Sequence, residues 1–438
     1  MSLREGLSSI WQSCELRPLP WLAAILILAG LLRIAALSIQ GIIEGVPTTL
    51  EIARNVAGGE GMTYCNNYFP FCGPDNQQTA MSGPVPVLIF SAAISAFGDA
   101  ASLSIILFQL ALGLATTALT YALAQSVFEN NRSALIASLV CGTYLHLVRL
   151  ELYPAQETIF TALATLGILA FVHSMKSAKP GTALAAGVVL GLASLSRTAM
   201  LYLPPFLAAA ELALGSGSLR RRAGIAAVLL CAFGLTLVPW VLRNQNAFGF
   251  FVPGTTLTGY NLYRHNHIVA DEDYLRYVRG PEGRIALAAL VEARSDLRGD
   301  ENEAEMDRIY RQEAIEIIAA HPGRYLILSL YRALPLYTDF GIYPEPMSLV
   351  WQVVALENLL LLGLAILTAL RRRLIEPRVL FPLVLLVAYY TAGHMVANTR
   401  MRYAVPLMPT IIVLASDQLR VLLDRIFGAG PGSSAALD

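Results

Sequence analysis

The sequence has little charge for its length, and the charges that it has cancel. Lysine and arginine number 31, aspartate and glutamate also number 31, and only 14% of the 438 residues are charged. A chain without a basic excess lacks the electrostatic footprint of a nucleic-acid-binding protein, so we exclude a nucleic-acid partner. Hydrophobic residues make up 55% of the chain. They recur in long apolar runs, which is typical of a polytopic membrane protein.

The sequence also lacks a signal-peptide cleavage site and a fixed-period repeat. The first apolar run extends from about residue 20 to 43 and follows Arg4 and Arg17. It is longer than the apolar segment of a signal peptide and has no obvious small-residue cleavage motif. We therefore expect it to be retained as the first membrane span.

Cysteine is scarce, with five residues in the whole chain. Only Cys65 and Cys72 fall in a polar segment, the loop that follows the first span. If this loop is extracytoplasmic, a disulfide between them would close a short loop, whereas two free thiols are the alternative. Cys141 and Cys231 lie in predicted spans and are interpreted as small apolar packing residues.

Windows of about twenty apolar residues predict ten membrane crossings. They lie at about residues 20–43, 101–126, 132–149, 156–174, 181–196, 198–214, 223–243, 347–370, 378–395 and 402–422. With this set, the short loops rich in Lys and Arg share one side with the N-terminus, so that side is cytoplasmic and both termini lie there. Two shorter apolar stretches, 84–98 and 325–337, are predicted to be helices at the membrane interface.

The order of these elements predicts an all-α polytopic membrane protein in four segments. The segments are an N-terminal membrane module (1–243) whose first loop is 44–100, an extracytoplasmic polar subdomain (244–346), a second set of spans (347–423) and a tail (424–438). The tail is rich in Gly, Ser and Ala and is expected to be disordered. In the polar subdomain, apolar positions at helical spacing predict a helix from about 300 to 320.

Ionisable residues gather on the predicted extracytoplasmic face, where a bundle built only for packing does not need them. They are Glu44, Glu51, Glu151, Glu157, Arg197, Arg243, His394, Arg400 and Arg402. Charge at membrane depth is costly, so such residues indicate a functional site. A carboxylate can deprotonate an acceptor hydroxyl, and arginines can neutralise a lipid phosphate. The alternative is that each residue has only a local structural role. Arginines at span ends reach to the interface, and carboxylates pair with them.

Other polar residues have less specific interpretations. Arg33 in the first span, and His146 with Arg149 in the third, either contact a lipid phosphate or pair inside the bundle. His265 and His267 lie two residues apart without an assigned third ligand, so we do not predict a metal site there and interpret them as polar surface.

An ordered series of motifs extends through most of the chain to about residue 265 and reappears in the last loop and span. The series comprises Glu44, Ala53-Arg54-Asn55, Gly59-Glu60-Gly61, Thr79-Ala80, Pro84-Val85-Pro86, Glu157-Thr158, Ser196-Arg197-Thr198, Pro239-Trp240, Arg243-Asn244, Phe248-Gly249, Gly259-Tyr260-Asn261 and Arg400-Met401-Arg402-Tyr403. As an ordered set it resembles the bacterial polyprenyl-phosphate-dependent glycosyltransferases of the GT-C superfamily (glycosyltransferase family 39/83-like). These are relatives of the dolichyl-phosphate-mannose protein mannosyltransferases and of the lipid A aminoarabinose transferase.

The resemblance implies a role for particular residues. Glu44 stands near the family's first-loop catalytic acid, although the spacing to Ala53 is slightly longer than usual and a customary Tyr is missing, so Glu51 is the alternative base. Glu157 matches a second acidic position near the active cavity. The basic positions implied to face the donor phosphate are Arg197, Arg243, Arg400 and Arg402. The other residues implied for the substrate cavity are Arg54, Tyr153, Asn244, Tyr260, Asn261 and His394.

The implied activity is the transfer of a sugar from a polyprenyl-phosphate-linked monosaccharide to a hydroxyl of an envelope lipid, glycan or protein. It would proceed with inversion on the extracytoplasmic face of a bacterial inner membrane, with a first-loop carboxylate as general base. No cofactor is implied with certainty, although some GT-C enzymes bind a divalent cation near their acids. The alternatives are a transporter or flippase for a polyprenyl-linked saccharide, which would place its polar residues nearer mid-membrane, and a noncatalytic binder.

Overall fold

The structure is a computed structural model of the chain and describes residues 3–43, 48–65, 70–71, 77–341, 347–371 and 376–427. Within these residues the regular structure is helical, apart from one isolated antiparallel β-bridge between Thr63 and Gln78. The all-α fold predicted from the apolar runs is thus confirmed.

Helices α1 to α11 form the N-terminal part of the described chain. They are α1 (Leu3–Leu16), α2 (Pro18–Gln40), α3 (Thr48–Ala57), α4 (Pro84–Phe97), α5 (Ala101–Phe128), α6 (Asn131–Thr143), α7 (Leu145–Glu151), α8 (Gln156–Ser177), α9 (Pro180–Ser196), α10 (Leu203–Leu214) and α11 (Leu219–Phe248). Prolines lie in the first turns of α2, α4 and α9, where a missing N–H costs no helical hydrogen bond. Gly41 follows α2 with a φ of +66°, a conformation that glycine adopts readily.

Helices α12 to α20 form the remainder of the described chain. They are α12 (Thr258–Asn266), α13 (Gly280–Ala293), α14 (Glu303–Ala320), α15 (Pro322–Tyr331), α16 (Ala333–Thr338), α17 (Leu349–Leu370), α18 (Pro377–Val396), α19 (Met401–Ala404) and α20 (Met408–Phe427). The helix predicted near 300–320 is α14. It begins with a capping box, in which the Asn302 side chain accepts from the N3 backbone N–H and the Glu305 carboxylate accepts from the Asn302 N–H.

Seven helical segments of the described chain are long and apolar enough to cross a membrane, and eight if α6 and α7, which are bent by 51°, form one span. Two further apolar helices, Pro180–Ser196 and Thr198–Leu214, are shorter. The chain is therefore a multi-pass membrane protein, and the predicted number of ten crossings is not confirmed.

The stretch 84–98, predicted to be a separate interfacial helix, continues into the next helix in the structure. It forms α4, which joins α5 through a short 3-10 turn to give an apolar helical segment of 45 residues. At 1.5 Å per residue this segment is about 65 Å long, roughly twice the hydrocarbon thickness of a bilayer. Counting 84–98 as a crossing would invert the charge bias of the later loops, and the sequence therefore favours an interfacial helix there. The continuity with α5 is visible only in the structure.

Close helix packing in the centre of the N-terminal module involves α9. α9 packs against both α8 and α11. A Cβ on Gly187 would lie 2.4 Å from the carbonyl oxygen of Leu229, and one on Gly191 would lie 2.7 Å from the Cβ of Thr236. Only glycine allows the two backbones to approach so closely. The C-terminal half of α9 is therefore held closely against α11.

The polar segment between α11 and α17 has a small apolar core of its own. Tyr260 and Tyr263 of α12 pack against Met306 and Tyr310 of α14, and the rings of Tyr263 and Tyr310 stack with centroids 6.1 Å apart. Met81 of the first loop belongs to the same core. The first loop and the polar segment therefore fold against each other.

Candidate active site

A buried ion pair joins the start of α8 to the end of α9. Nη1 of Arg197 lies 3.0 Å from Oε1 of Glu157, and the two side chains are 13% and 10% exposed. Glu157 lies in the first turn of its helix, where the positive end of the helix dipole favours a carboxylate. Both residues were predicted site residues, and the structure brings them together.

The short helix α19 places a second arginine, Arg402, and Tyr403 beside this pair. The guanidinium of Arg197 lies 4.6 Å from the ring centroid of Tyr403, and that of Arg402 lies 5.0 Å from it. Arg402 also donates a 3.2 Å hydrogen bond to the Tyr403 hydroxyl. The guanidinium of Arg402 is also close enough to Glu157 to interact electrostatically with its carboxylate. Arg402 has no ion pair within the described residues, and its side chain is exposed.

His394 extends the cluster along α18. Its imidazole stacks on Tyr390 with ring centroids 4.3 Å apart and lies 5.5 Å from the ring of Tyr403. Its Nδ1 is 2.9 Å from the carbonyl oxygen of Tyr390. The hydroxyl of Tyr390 is buried and has no hydrogen-bond partner within the described residues. His394 is thus held by stacking, with its ring directed at the site.

The turn between α7 and α8 supplies Tyr153 and is held by Gln109 of α5. The Gln109 side-chain amide donates to the carbonyl of Glu151 at 2.9 Å and to that of Tyr153 at 2.6 Å, and its oxygen accepts from the Ala155 N–H at 3.1 Å. Burial raises the pKa of Tyr153, and the charge of Arg402 opposes this shift. Tyr153 therefore lies within the electrostatic reach of Arg402.

Arg149 is a further exposed arginine near this cluster. Its guanidinium lies 4.6 Å from the ring centroid of Trp351, and it has no ion pair within the described residues. His146, one turn earlier, contacts the same indole edge-on at 5.0 Å, and its buried Nδ1 has no partner in the described part of the chain. The charges of both Arg149 and Arg402 act on His146. The exposed guanidinium groups of Arg149 and Arg402 therefore both lie near His146.

Arg33 and Glu151 form a different ion pair, deep in the bundle. Arg33 donates two hydrogen bonds to the Glu151 carboxylate, at 2.7 and 2.8 Å, and two more to the carbonyls of Ala29 and Gly142. The side chains are 1% and 0% exposed. Of the two interpretations of Arg33, pairing inside the bundle is the one that the structure shows.

Arg243 and Asn244 lie at the end of α11 and bind backbone. Arg243 donates to the carbonyls of Thr79 and Met62, both at 2.8 Å, and Asn244 donates to the carbonyl of Val252 at 2.9 Å. Arg243 also donates to the Gln78 side chain at 2.5 Å. The contacts of Arg243 therefore tie the first loop to α11.

The other predicted site residues have contacts elsewhere in the described chain. Tyr260 is 2% exposed in the core of the polar segment, and Asn261 follows it in α12. Arg400 donates a 2.8 Å hydrogen bond to the hydroxyl of Tyr277. Glu51 and Arg54 lie on α3, the first half-buried and the second exposed.

Two predicted residues, Glu44 and Cys72, lie outside the described residues. Ile43 immediately precedes Glu44, and its backbone N–H donates to the carbonyl of Leu152 at 2.9 Å. The described chain thus reaches the α7–α8 turn just before Glu44. Cys65 is disulfide-bonded. Its predicted pairing with Cys72 stays a prediction.

Two buried carboxylates of α14 were missed by the sequence analysis. Glu303 accepts from the hydroxyl of Thr79 at 2.7 Å and the backbone N–H of Ala80 at 2.9 Å. Asp307 accepts from the N–H groups of Gly259 and Tyr260. Their partners lie 47 to 224 residues away in sequence, so no local pattern points to them.

The described residues contain no group of three or more His, Cys, Asp or Glu side chains that could hold a metal ion. His265, interpreted from the sequence as polar surface, is instead 3% exposed, and this interpretation was wrong. It lies on α12, which packs into the polar segment, so the helix buries it.

Comparison with known proteins identifies the fold. Residues 81–242 match a family model described as dolichyl-phosphate-mannose-protein mannosyltransferase. No curated protein sequence matches the chain significantly. The archaeal oligosaccharyltransferase AglB from Archaeoglobus fulgidus, in complex with an inhibitory peptide and a dolichol-phosphate, superposes with a TM-score of 0.55 and 15% identity, over 94% of this chain and 52% of that one.

Two further solved structures are similar. The A. fulgidus oligosaccharyltransferase tethered with an acceptor peptide gives a TM-score of 0.55 and 16% identity, over 92% of this chain and 50% of that one. ArnT from Cupriavidus metallidurans, bound to undecaprenyl phosphate, gives 0.40 and 15%, over 86% and 77%. The chain spans about half the length of the oligosaccharyltransferases it matches. The likeness to the solved structures shows the fold, and the chain has the GT-C fold predicted from the motifs.

Proposed function

We propose that this protein transfers a sugar from a polyprenyl-phosphate-linked monosaccharide to a hydroxyl of an envelope lipid, glycan or protein. The reaction takes place at the extracytoplasmic boundary of a bacterial inner membrane, with both termini in the cytoplasm. The matched family and AglB are glycosyltransferases, which supports the reaction class. The structure of AglB with a dolichol-phosphate supports a polyprenyl phosphate as the lipid.

The observation that carries this proposal is the contrast between paired and exposed arginines at one place. Arg197 is fixed by Glu157, whereas Arg402 and Arg149 are exposed and have no ion pair within the described residues. Exposed guanidinium groups at a membrane boundary offer a fork of donors that matches phosphate oxygens. Arg402 and Arg149 are therefore the donor-phosphate ligands that we favour, and Arg197, held by Glu157, adds its positive charge beside them.

The proposed reaction is a single displacement at the anomeric carbon. A first-loop carboxylate, Glu44 or alternatively Glu51, takes the proton of the acceptor hydroxyl, whose oxygen then forms the new glycosidic bond. The bond from the anomeric carbon to the phosphate oxygen breaks, its electron pair stays on that oxygen, and the arginines stabilise the released polyprenyl phosphate. Glu157 keeps Arg197 in position for this charge. The configuration at the anomeric carbon is inverted.

The remaining predicted roles belong to the same proposal. Tyr153 and His394 present aromatic faces suited to a sugar ring. Arg243 and Arg400 stay candidates for the donor phosphate, with Arg54, Asn244, Tyr260 and Asn261 as the outer cavity. Acceptor selection would reside in residues 244–346. A divalent cation is not required by the proposed chemistry.

Sugar transfer in proteoliposomes tests the proposal. Purified protein receives labelled polyprenyl-phosphate monosaccharides, one at a time, with an extract of the host envelope as acceptor. The comparison includes wild type, Glu44→Gln, Glu51→Gln and Glu157→Gln, with Glu316→Gln, an exposed glutamate of α14, as the matched control. We expect wild type and Glu316→Gln to transfer one sugar, and Glu44→Gln to lose transfer while it still binds the donor.

Other outcomes have defined meanings. Transfer that survives Glu44→Gln but not Glu51→Gln would assign the base to Glu51. The absence of transfer with every donor, together with movement of labelled lipid across the bilayer, would contradict the enzyme and support a transporter.

A further inference from the structure

Helix α14 presents two buried carboxylates, one turn apart, to distant parts of the chain. Glu303 is 7% exposed and Asp307 is 3% exposed. Asp307 accepts hydrogen bonds from the backbone N–H of Gly259 at 2.7 Å and of Tyr260 at 3.0 Å, and an ion pair with Arg311 occupies its second oxygen. Asp307 therefore anchors the first turn of α12 and is satisfied within the polar segment.

Glu303 instead joins three segments. Its Oε2 accepts from the Thr79 hydroxyl, and its Oε1 accepts from the backbone N–H of Ala80 and from the hydroxyl of Thr256. The backbone N–H of Thr256 donates to the carbonyl of Ala80 at 3.1 Å. The first loop and the segment after α11 thus meet on one carboxylate of α14. The helix itself does not need this residue as a cap, because Asn302 already caps it.

Both segments held by Glu303 pack against the residues that flank Arg197. On the first-loop side, a Cβ on Gly83 would lie 2.1 Å from the carbonyl oxygen of Leu195. On the other side, a Cβ on Gly254 would lie 2.5 Å from Cγ2 of Thr198. These contacts leave no room for the segments to move toward α9.

A hydrogen bond reinforces the second contact. The hydroxyl of Thr198 donates to that of Thr255 at 3.1 Å, one residue before the Thr256 that Glu303 holds. Arg197 therefore lies between two segments that the same carboxylate connects.

We propose that Glu303 is a positioning residue for the proposed sugar transfer, because it fixes the two segments that hold Arg197 in its orientation toward Glu157 and the donor phosphate. This inference rests on the proposed function. Glu303 acts through Arg197 and is not assigned a contact with substrate. Misplacement of a charge-stabilising group by about 1 Å can lower a rate about 100-fold. Release of the two segments from Glu303 should therefore reduce kcat strongly.

The test compares Glu303→Ala and Glu303→Gln with Glu316→Ala, which changes an exposed residue of the same helix. Hydrogen exchange is followed by mass spectrometry in peptides covering residues 77–83, 193–200 and 254–258, and transfer kinetics are measured on the same samples. For Glu303→Ala we expect faster exchange in all three peptides and a kcat about 100-fold lower, with a smaller change in the KM of the donor. Glu303→Gln keeps a hydrogen-bond acceptor and gains a donor. Its hydrogen exchange and its kcat should therefore be close to those of wild type.

Exchange and kcat of Glu303→Ala equal to those of Glu316→Ala would overturn the positioning role. Faster exchange with unchanged kcat would overturn it too, since Glu303 would then be structural only. If Glu303→Ala does not fold, Thr256→Val removes one of the same hydrogen bonds and is expected to show the same direction in both measurements. Absence of transfer by wild type would contradict the proposed function and with it the positioning role, whereas unchanged exchange in residues 193–200 would overturn the positioning role alone.

Discussion

Two arginine–carboxylate pairs in the same membrane module show how a structural pair differs from a candidate site. Arg33 and Glu151 are 1% and 0% exposed, and carbonyls take up the remaining donors of Nη1. Arg197 and Glu157 are 13% and 10% exposed and lie beside Arg402, which has no ion pair among the residues that the structure describes. A pair that is closed off from solvent can only hold helices together. A pair that borders exposed cationic groups is the better candidate for a binding site.

The largest effect is expected where the closed pair is broken. Arg33→Leu leaves the Glu151 carboxylate buried without its partner, and the free energy of unfolding should fall by about 3–5 kcal/mol. Thermal unfolding in detergent measures this change. The double variant Arg33→Leu/Glu151→Leu removes both charges and should recover much of the loss. Equal stability of wild type and Arg33→Leu would contradict a structural role for this pair.

The opposite response is expected at the open cluster. Arg402→Gln should leave the unfolding temperature unchanged, because the side chain is exposed and has no ion pair in the described part of the chain. Loss of charged hydrogen bonds to the phosphate should cost about 1.5–3 kcal/mol of transition-state binding, or roughly 10- to 100-fold in kcat/KM. Transfer kinetics measure the effect, with Arg284→Gln, an exposed arginine of α13, as the control. A stability loss without a rate effect would make Arg402 structural.

The closed pair can also be disturbed without removing a charge. A Cβ on Gly113 would lie 2.0 Å from Oε1 of Glu151. Gly113→Ala therefore forces the carboxylate away from Arg33, and we expect a loss of about 1–3 kcal/mol in the free energy of unfolding. Gly224→Ala is the matched control, because a Cβ there meets open space in a helix. Thermal unfolding of the two variants separates crowding at Glu151 from a general effect of alanine.

The last comparison concerns the pH dependence of stability, an effect that is small over any one pH unit. Burial raises the pKa of Glu303 from 4.5 to about 8, with Asp307 acting in the same direction and Arg243 and the hydrogen bonds opposing it. Between these values the folded state keeps a proton that the unfolded chain has lost, so stability falls as the pH rises, by at most about 1.4 kcal/mol per pH unit. Glu303→Gln should flatten this slope in unfolding measurements from pH 5 to 8. An unchanged slope would show that Glu303 is ionised throughout.

The residues that could be anticipated from the sequence share a simple property. Arg197, Glu157 and Arg402 each lie at the end of an apolar run, where the cost of charge makes an ionisable residue conspicuous. The ordered motifs then indicated the fold. A charge at a span end is visible in one dimension, so these residues could be selected before their contacts were known.

The rest depends on contacts between distant parts of the chain. Arg243 and Arg197 are equal candidates on their sequence motifs, but in the structure Arg243 donates to carbonyls of the first loop. Tyr260 belongs to a motif yet packs in a core. Glu303 and its partner Thr79 are 224 residues apart, and only the folded chain brings them together.

The most direct test is the rate of labelled sugar transfer from a polyprenyl-phosphate monosaccharide in proteoliposomes, for wild type, Arg402→Gln and the double variant Arg149→Gln/Arg402→Gln. We predict transfer by wild type, and for the double variant a kcat/KM lower than in Arg402→Gln alone at an unchanged unfolding temperature. Equal rates for wild type and the double variant, or no transfer by wild type with any such donor, would contradict a donor-phosphate site at the open arginine cluster.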